Sequence, residues 1–337
     1  MVTIIHNRRP ASCINIQRVL LLGATGETGG SILNGLLDSG NFEITALVRP
    51  SSAQKPDVLD LIKRGVRILI ADISSPINEL VPLLKGFDIF ISAISGGALL
   101  AQMGIVTAAK EAGIKRFVPC GFATICPPGG VMKLRDQKEQ VLNHVKQLFL
   151  PYTFIDVGYW YQLSFPPLPS GKIDKYIFPG TNTKIRGDGT ALNLITDLRD
   201  VGHFVARIVA DERTLNRYVF VHGEELTEKG IYAVMEEVSG EELERKFVSE
   251  QEIQEEVFEA RKSFEKEPEN AEAFGRVARA EYEYSKYVRL DNRAVYARYL
   301  GYLDARELYP DLKPRGFDEF ARDLMDGKVR RPYSGVD

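Results

Sequence analysis

Short apolar runs alternate with helical stretches through the first half of the chain. Residues 19–22 form an apolar run that stops at Gly23, the pattern of a buried strand. Residues 28–37 then place Ile32, Leu33, Leu36 and Leu37 at helical spacing, and Gly40 ends the helix. The alternation continues. Strands are predicted at 43–48, 66–71, 88–93, 117–119 and 153–157, a short helix at 58–62 and a helical turn at 80–84. Longer helices are predicted at 103–112 and 134–148. Continuous apolar strands are buried on both faces. This predicts a parallel sheet covered by helices on each side, a Rossmann-type doubly wound α/β fold.

The pattern changes after Gly158. Residues 164–190 are rich in Pro and Gly and read as a loop and hairpin region. Asp200 is expected to cap a helix over 201–210, with a further strand at 217–221. From Glu236 to Glu272 there are 14 acidic residues against 5 basic ones. Such a run reads as the solvated face of helices, with Val248, Ile253, Val257 and Phe258 as a narrow buried stripe. The expected organisation is an N-terminal extension over 1–16, a Rossmann domain over 17–158, and mainly a smaller α+β C-terminal lobe over 159–337. Elements of that lobe are free to return to the main sheet. Residues 1–16 hold Arg8 and Arg9 and no acidic residue, and read as a loose extension rather than a transit peptide.

Composition narrows the function classes. Lys+Arg is 43 against Asp+Glu 46 in 337 residues, a net charge of −3, so neither nucleic acid nor an anionic membrane is expected as partner. No stretch approaches the ~18 apolar residues of a membrane span. Cys13, Cys120 and Cys126 are too few and too irregular for a disulfide framework or a zinc site, and no metal is expected. A soluble, cytoplasmic protein is the expectation.

The strongest local signal is Gly23-Ala24-Thr25-Gly26-Glu27-Thr28-Gly29-Gly30, directly after a strand and opening a helix. Gly23 permits a sharp turn, Gly26 lets a pyrophosphate approach the backbone, and Gly29 allows close helix–strand packing. With Thr25, Glu27 and Thr28, these are the candidate cofactor-binding residues of the loop, where free N–H groups meet phosphate. The end of the second strand decides between NAD and NADP. It reads Leu47-Val48-Arg49-Pro50-Ser51-Ser52, with no carboxylate between Ile44 and Gln54. Arg49 suits a 2′-phosphate, so the expected cofactor is NADPH/NADP. Asp72 and Ser92 follow the third and fourth strands, where ligands gather in such sheets, and join the cofactor set by position.

These residues resemble the NmrA-like, isoflavone reductase-like branch of the atypical short-chain dehydrogenases, in a fungal-type form. The match is carried by the glycine loop with Leu47-Val48-Arg49, by Lys115-Arg116-Phe117-Val118-Pro119, and by Lys138 thirteen residues before Pro151-Tyr152-Thr153. Thr196-Asp197-Leu198-Arg199-Asp200-Val201-Gly202 and the tail Ala305-Arg306-Glu307-Leu308-Tyr309-Pro310 complete it. That branch includes phenylcoumaran benzylic ether, pinoresinol–lariciresinol and isoflavone reductases. The resemblance implies that Phe122 packs beside the nicotinamide, touching cofactor and substrate, and that Lys138 is the general acid/base and a cofactor contact. Ordinary short-chain dehydrogenases carry Tyr where Leu134 stands here. The turn Cys120-Gly121-Phe122-Ala123 departs from the plant pattern Ser-Glu-Phe-Gly, so plant substrate preferences do not carry over.

A free lysine has a pKa near ~10.4, and burial would move Lys138 towards a useful value. Tyr159 and Trp160 follow the sixth strand, where a pocket should open, and are the candidate substrate-binding residues beside Phe122. A packed hinge is the alternative for them. Cys120 reads as a small buried thiol. The expected activity is NADPH-dependent reduction of a small aromatic or polyketide-like secondary metabolite at a carbonyl, enone or quinone methide. An NADP(H)-binding redox sensor and a non-redox isomerase or cyclase stay open, as does a homodimer.

Overall fold

The computed structural model describes residues 16–179 and 184–334. The extension expected over 1–16 lies outside the described residues apart from Ile16, as does Cys13. The first half runs β1 (Gln17–Leu22), α1 (Glu27–Ser39), β2 (Phe42–Val48), α2 (Pro56–Lys63), β3 (Arg67–Ile70), α3 (Ile77–Leu84), β4 (Ile89–Ser92), α4 (Met103–Ala112), β5 (Arg116–Val118), α5 (Lys133–Gln147) and β6 (Thr153–Asp156). The second half runs β7 (Tyr159–Trp160), β8 (Ile185–Arg186), β9 (Asn193–Thr196), α6 (Leu198–Ala210), β10 (Arg217–Phe220), β11 (Glu224–Leu226), α7 (Glu228–Ser239) and β12 (Phe247–Val248). It continues with α8 (Glu250–Lys266), α9 (Ala271–Glu283), a π-helical segment (Tyr284–Val288), α10 (Ala294–Tyr299), β13 (Leu303–Asp304), α11 (Ala305–Leu308) and α12 (Phe317–Met325).

The main sheet has the order β3-β2-β1-β4-β5, and every pair in it is parallel. The strand order reverses between β1 and β4, which opens a crevice at their carboxyl ends. β6 meets β5 through a parallel bridge from Phe117 to Tyr152, and β10 and β13 continue outward from β6. Successive residues of β1 feed opposite faces. Val19 and Leu21 pack in the cluster that includes α1 and α6, and Leu20 and Leu22 in the cluster of α4 and α5. This is the doubly wound parallel α/β fold expected from the apolar runs, and the six predicted strands lie within two residues of their observed bounds.

α6 sits far along the chain yet packs on α1. A Cβ on Gly35 would stand 2.1 Å from the Gly202 backbone, and one on Gly202 would stand 1.8 Å from the Ser31 carbonyl. Ser31 Oγ donates to the Leu198 carbonyl at 2.5 Å and accepts from the Gly202 N–H at 3.0 Å. Gly202 therefore serves close helix packing, not a ligand.

Several details differ from expectation. The cap of α6 is Asp197, whose side chain accepts from the Arg199 N–H, so the helix starts three residues earlier than predicted. Asp200 lies inside the first turn and accepts from the Arg315 N–H at 2.7 Å. The expected hairpin near 164–190 is absent among the described residues: β8 pairs in parallel with the distant β12. On α8, Ile253 and Val257 are buried as predicted, but Phe258 is 65% exposed, and Val248, on β12, is only half-buried. Phe258 follows Val257 directly, and one residue step rotates a side chain about 100° around a helix. The turn at 80–84 is a longer helix, α3, whose internal Pro82 obscured its pattern.

Candidate active site

The chain leaves β1 through Gly23 at φ +87°, a left-handed conformation that glycine adopts freely. A Cβ there would lie 2.4 Å from the Ala93 carbonyl, and one on Gly29 would lie 1.9 Å from the Gly23 carbonyl. Gly26 is the N-cap of α1. Its backbone is extended, it has no side-chain cap, and a Cβ on it would meet only the Gly23 carbonyl, at 3.4 Å. Thr25 and Gly26 are exposed, while Glu27 and Thr28 are half-buried. The first-turn amides of α1 thus open to a bare glycine edge, which fits a pyrophosphate. The Glu27 carboxylate is taken up elsewhere, by Arg330 at 2.7 Å and by the Tyr333 N–H at 2.9 Å.

The other cofactor candidates follow the carboxyl ends of β2, β3 and β4. Arg49 is exposed and donates through Nε to Ser52 Oγ at 2.9 Å, which sets its guanidinium over the loop after β2. Asp72 closes a local turn, accepting from the Ser74 N–H at 2.9 Å and its hydroxyl at 2.7 Å. Those bonds hold the carboxyl below its usual range. Ser92 is fully buried at the end of β4, and its hydroxyl has no hydrogen-bond partner among the described residues.

Lys138 projects from α5 and is 7% exposed. Its Nζ donates to the Gly121 carbonyl at 2.6 Å and the Cys120 carbonyl at 2.9 Å. Burial, aided by the nearby Arg135, lowers its pKa from the ordinary lysine value. Two features hold this geometry. Arg135, one turn earlier on α5, is fully buried and donates to Asp156 Oδ2 and the Thr124 carbonyl, both at 2.7 Å. Tyr302 donates to the same carboxylate at 2.8 Å, and Tyr218 donates to Glu139 at 3.0 Å. The second feature is the turn itself. Gly121 lies so close to β6 that a Cβ would stand 2.5 Å from the Ile155 carbonyl. Phe122 follows at φ +47° and donates its N–H to that carbonyl at 2.6 Å. A bulky residue in the left-handed region is strained, and strain of this kind gathers at functional sites. Cys120 is a buried free thiol, its Sγ directed to the Ile94 carbonyl at 3.2 Å.

Tyr159 and Trp160 form β7, which pairs with β9 beyond the sheet edge. The Tyr159 ring centroid lies 3.4 Å from Lys286 Nζ and 6.1 Å from the Tyr282 ring. Burial pushes the Tyr159 hydroxyl up to about 12 and, with Arg186 adding to it, pushes Lys286 down to about 7. Trp160 stacks on Tyr333 at 6.1 Å and 30°. Lys286, Tyr282 and Tyr333 are absent from the sequence-derived site because no motif surrounds them. Lys286 lies in the π-helical segment after α9, where helical spacing gives no sign of its direction. Among the described residues no cluster of His, Cys, Asp and Glu fits a metal, and no helix is long and apolar enough to cross a membrane.

Comparison with known proteins adds the family. The NmrA-like family model matches residues 15–321. An asnovolin J 5′,6′-dehydrogenase of Aspergillus novofumigatus is 40% identical over 312 residues, covering 92% of this chain and 95% of its own. Among solved structures, the leucoanthocyanidin reductase–NADPH complex from Vitis vinifera superposes with a TM-score of 0.76 at 23% identity, covering 92% of this chain and 99% of that one. AtPrR2 with NADP+ and (+)pinoresinol gives a TM-score of 0.73 at 26% identity, covering 91% and 98%. The chain belongs to the NmrA-like family.

Proposed function

We propose that the protein is an NADPH-dependent oxidoreductase that reduces a small aromatic or polyketide-like secondary metabolite at a carbonyl, enone or quinone methide. The observation that carries this reading is the buried Lys138 ammonium. Two of its three N–H bonds go to fixed backbone carbonyls, which leaves one for a substrate oxygen. Its lowered pKa makes that proton easier to give. When bound, NADPH supplies a hydride.

This chain's own residues then have separate tasks. The loop from Gly23 to Gly29 holds the phosphates, and Arg49 takes the 2′-phosphate. Phe122 sets the turn beside the nicotinamide position. Tyr159 and Trp160 form the substrate wall. Lys138 donates its proton to the oxygen that gains charge as the substrate is reduced. The cofactor half is assigned to 17–158 and the substrate half mainly to 159–337, with α6 packed on α1 and β10 and β13 extending outward from β6. The fungal relative is named a dehydrogenase acting at the 5′ and 6′ positions of its substrate, the oxidative direction of hydride exchange between adjacent positions; an enone is the oxidised partner in such an exchange. Two free, buried thiols suit a reducing compartment, the cytoplasm.

The test is NADPH oxidation with aromatic aldehydes, enones and a metabolite extract, run beside Lys138→Ala. Consumption that the variant loses supports the reading. Equal rates in both proteins would remove Lys138 from the chemistry, and no consumption by either protein across panel and extract, with NADPH binding intact, would favour a redox sensor.

A further inference from the structure

The segment after α12 crosses the molecule and ends at the candidate site. Gly327 at φ +75° turns the chain out of the helix. Val329 packs against the C-terminal lobe cluster of Tyr161, Phe317 and Phe320, and Pro332 is buried. Between them Arg330 pairs with Glu27 at 2.7 Å, and the Tyr333 N–H donates to the same carboxylate at 2.9 Å. Glu27 is the first helical residue of the cofactor loop. The Tyr333 ring then lies between two aromatic residues of the second half, stacked on Trp160 at 6.1 Å and edge-on to Phe178 at 5.7 Å. The segment therefore joins the cofactor loop to the aromatic wall. Tyr333 itself sits at φ +59°, a strained conformation for a bulky residue, which its surroundings must hold in place.

We infer that this tail is the outer wall of the substrate chamber and that Tyr333 is a specificity-determining residue, held shut by Glu27. The inference rests on Trp160 lining the chamber, as proposed above. Its physical basis is a division of labour. Arg330 and the Tyr333 N–H spend their hydrogen bonds on the loop, so the Tyr333 ring is positioned without help from substrate. A wall fixed in this way restricts the depth open to a planar ligand. Tyr333 is 43% exposed, whereas Trp160 against its ring is only 8% exposed.

The chain contains a single tryptophan, Trp160, so its fluorescence reports on the surroundings of that one residue, which the tail covers. The experiment compares wild type with Tyr333→Ala, Tyr333→Phe and Arg330→Ala in the full chain. Acrylamide quenching should rise severalfold in Tyr333→Ala, rise less in Arg330→Ala, and stay at the wild-type level in Tyr333→Phe. NADPH affinity and melting temperature should hold in Tyr333→Ala. The kcat/KM ratio of chalcone to benzaldehyde should shift towards the bulkier chalcone by roughly tenfold. If neither compound is reduced, the same ratio is read as dissociation constants from tryptophan quenching, so failure of the reductase reading stays separate from failure of this one. Unchanged quenching in Tyr333→Ala would overturn the inference, and so would exposed Trp160 with an unchanged chalcone-to-benzaldehyde ratio.

Discussion

Lys138 and Lys286 are the two buried lysines of the described residues, 7% and 4% exposed, one in each half of the molecule. They are held in different ways. Lys138 has two carbonyl acceptors within 2.9 Å, presented by a turn that β6 fixes. Lys286 faces the Tyr159 ring, with the Tyr287 hydroxyl at 3.5 Å and Arg186 nearby, itself paired to Glu228 and Glu283. Burial lowers the pKa of both, but Lys286 comes down to about 7. Burial alone therefore does not make a proton donor. Carbonyl acceptors keep a buried ammonium charged and aimed, whereas at Lys286 the Arg186 guanidinium adds to burial against the charged form.

The sharpest way to break this comparison is kinetic. Lys138→Ala should lower kcat by about 10²–10⁴, the usual worth of a positioned acid, with NADPH affinity unchanged. In wild type the alkaline fall of kcat should come at a lower pH than a free lysine's ~10.4, because the donor form is lost at the depressed pKa. An alkaline limb at or above the free-lysine value would contradict the lowered pKa.

Next in size is the support beneath Lys138. Arg135→Met leaves Asp156 buried without its cation and should cost about 3–5 kcal/mol in urea unfolding. A loss under about 1 kcal/mol would mean that Tyr302 and the Ala123 N–H satisfy Asp156 without the cation. Smaller still is the cofactor edge. Arg49→Ala should weaken NADPH about 10- to 100-fold, the worth of a charged hydrogen bond, and leave NADH unchanged by fluorescence titration. Equal losses for the two cofactors would remove Arg49 from the 2′-phosphate.

The smallest effect concerns Lys286. Its folded pKa of about 7 lies below the unfolded value near ~10.4, so the unfolded chain binds more protons between those limits. Stability contributed at this site thus rises with pH across that window. Lys286→Met removes the penalty, and should raise Tm by about 3 °C at pH 6 and by much less at pH 9. An equal gain at both pH values would show that Lys286 does not titrate between them.

Much of the cofactor half was legible because its determinants are local. Each buried strand is a run of neighbouring apolar residues, and the glycine loop announces itself by spacing between Gly23 and Gly29. The C-terminal lobe was read less well. Its short strands β7, β8 and β12 have two residues each, too few for any periodicity, and β8 finds its partner some 60 positions along. Asp197 was passed over as the α6 cap because Asp200, three residues later, is an equally good capping residue type. The site divides in the same way. Lys138 came from its resemblance and spacing, whereas Lys286 and Tyr333 carry no motif.

By itself the sequence determined the strand–loop–helix alternation, the glycine cradle, the arginine after β2 and the family, since each depends on residues adjacent in the chain. Only the tertiary structure decided the state of the two lysines and the reach of the tail. Lys138 meets carbonyls 17 and 18 residues away, and Glu27 meets a backbone N–H 306 residues away. Such pairings follow from how the sheet and the C-terminal lobe pack together, and desolvation exists only once that packing has closed.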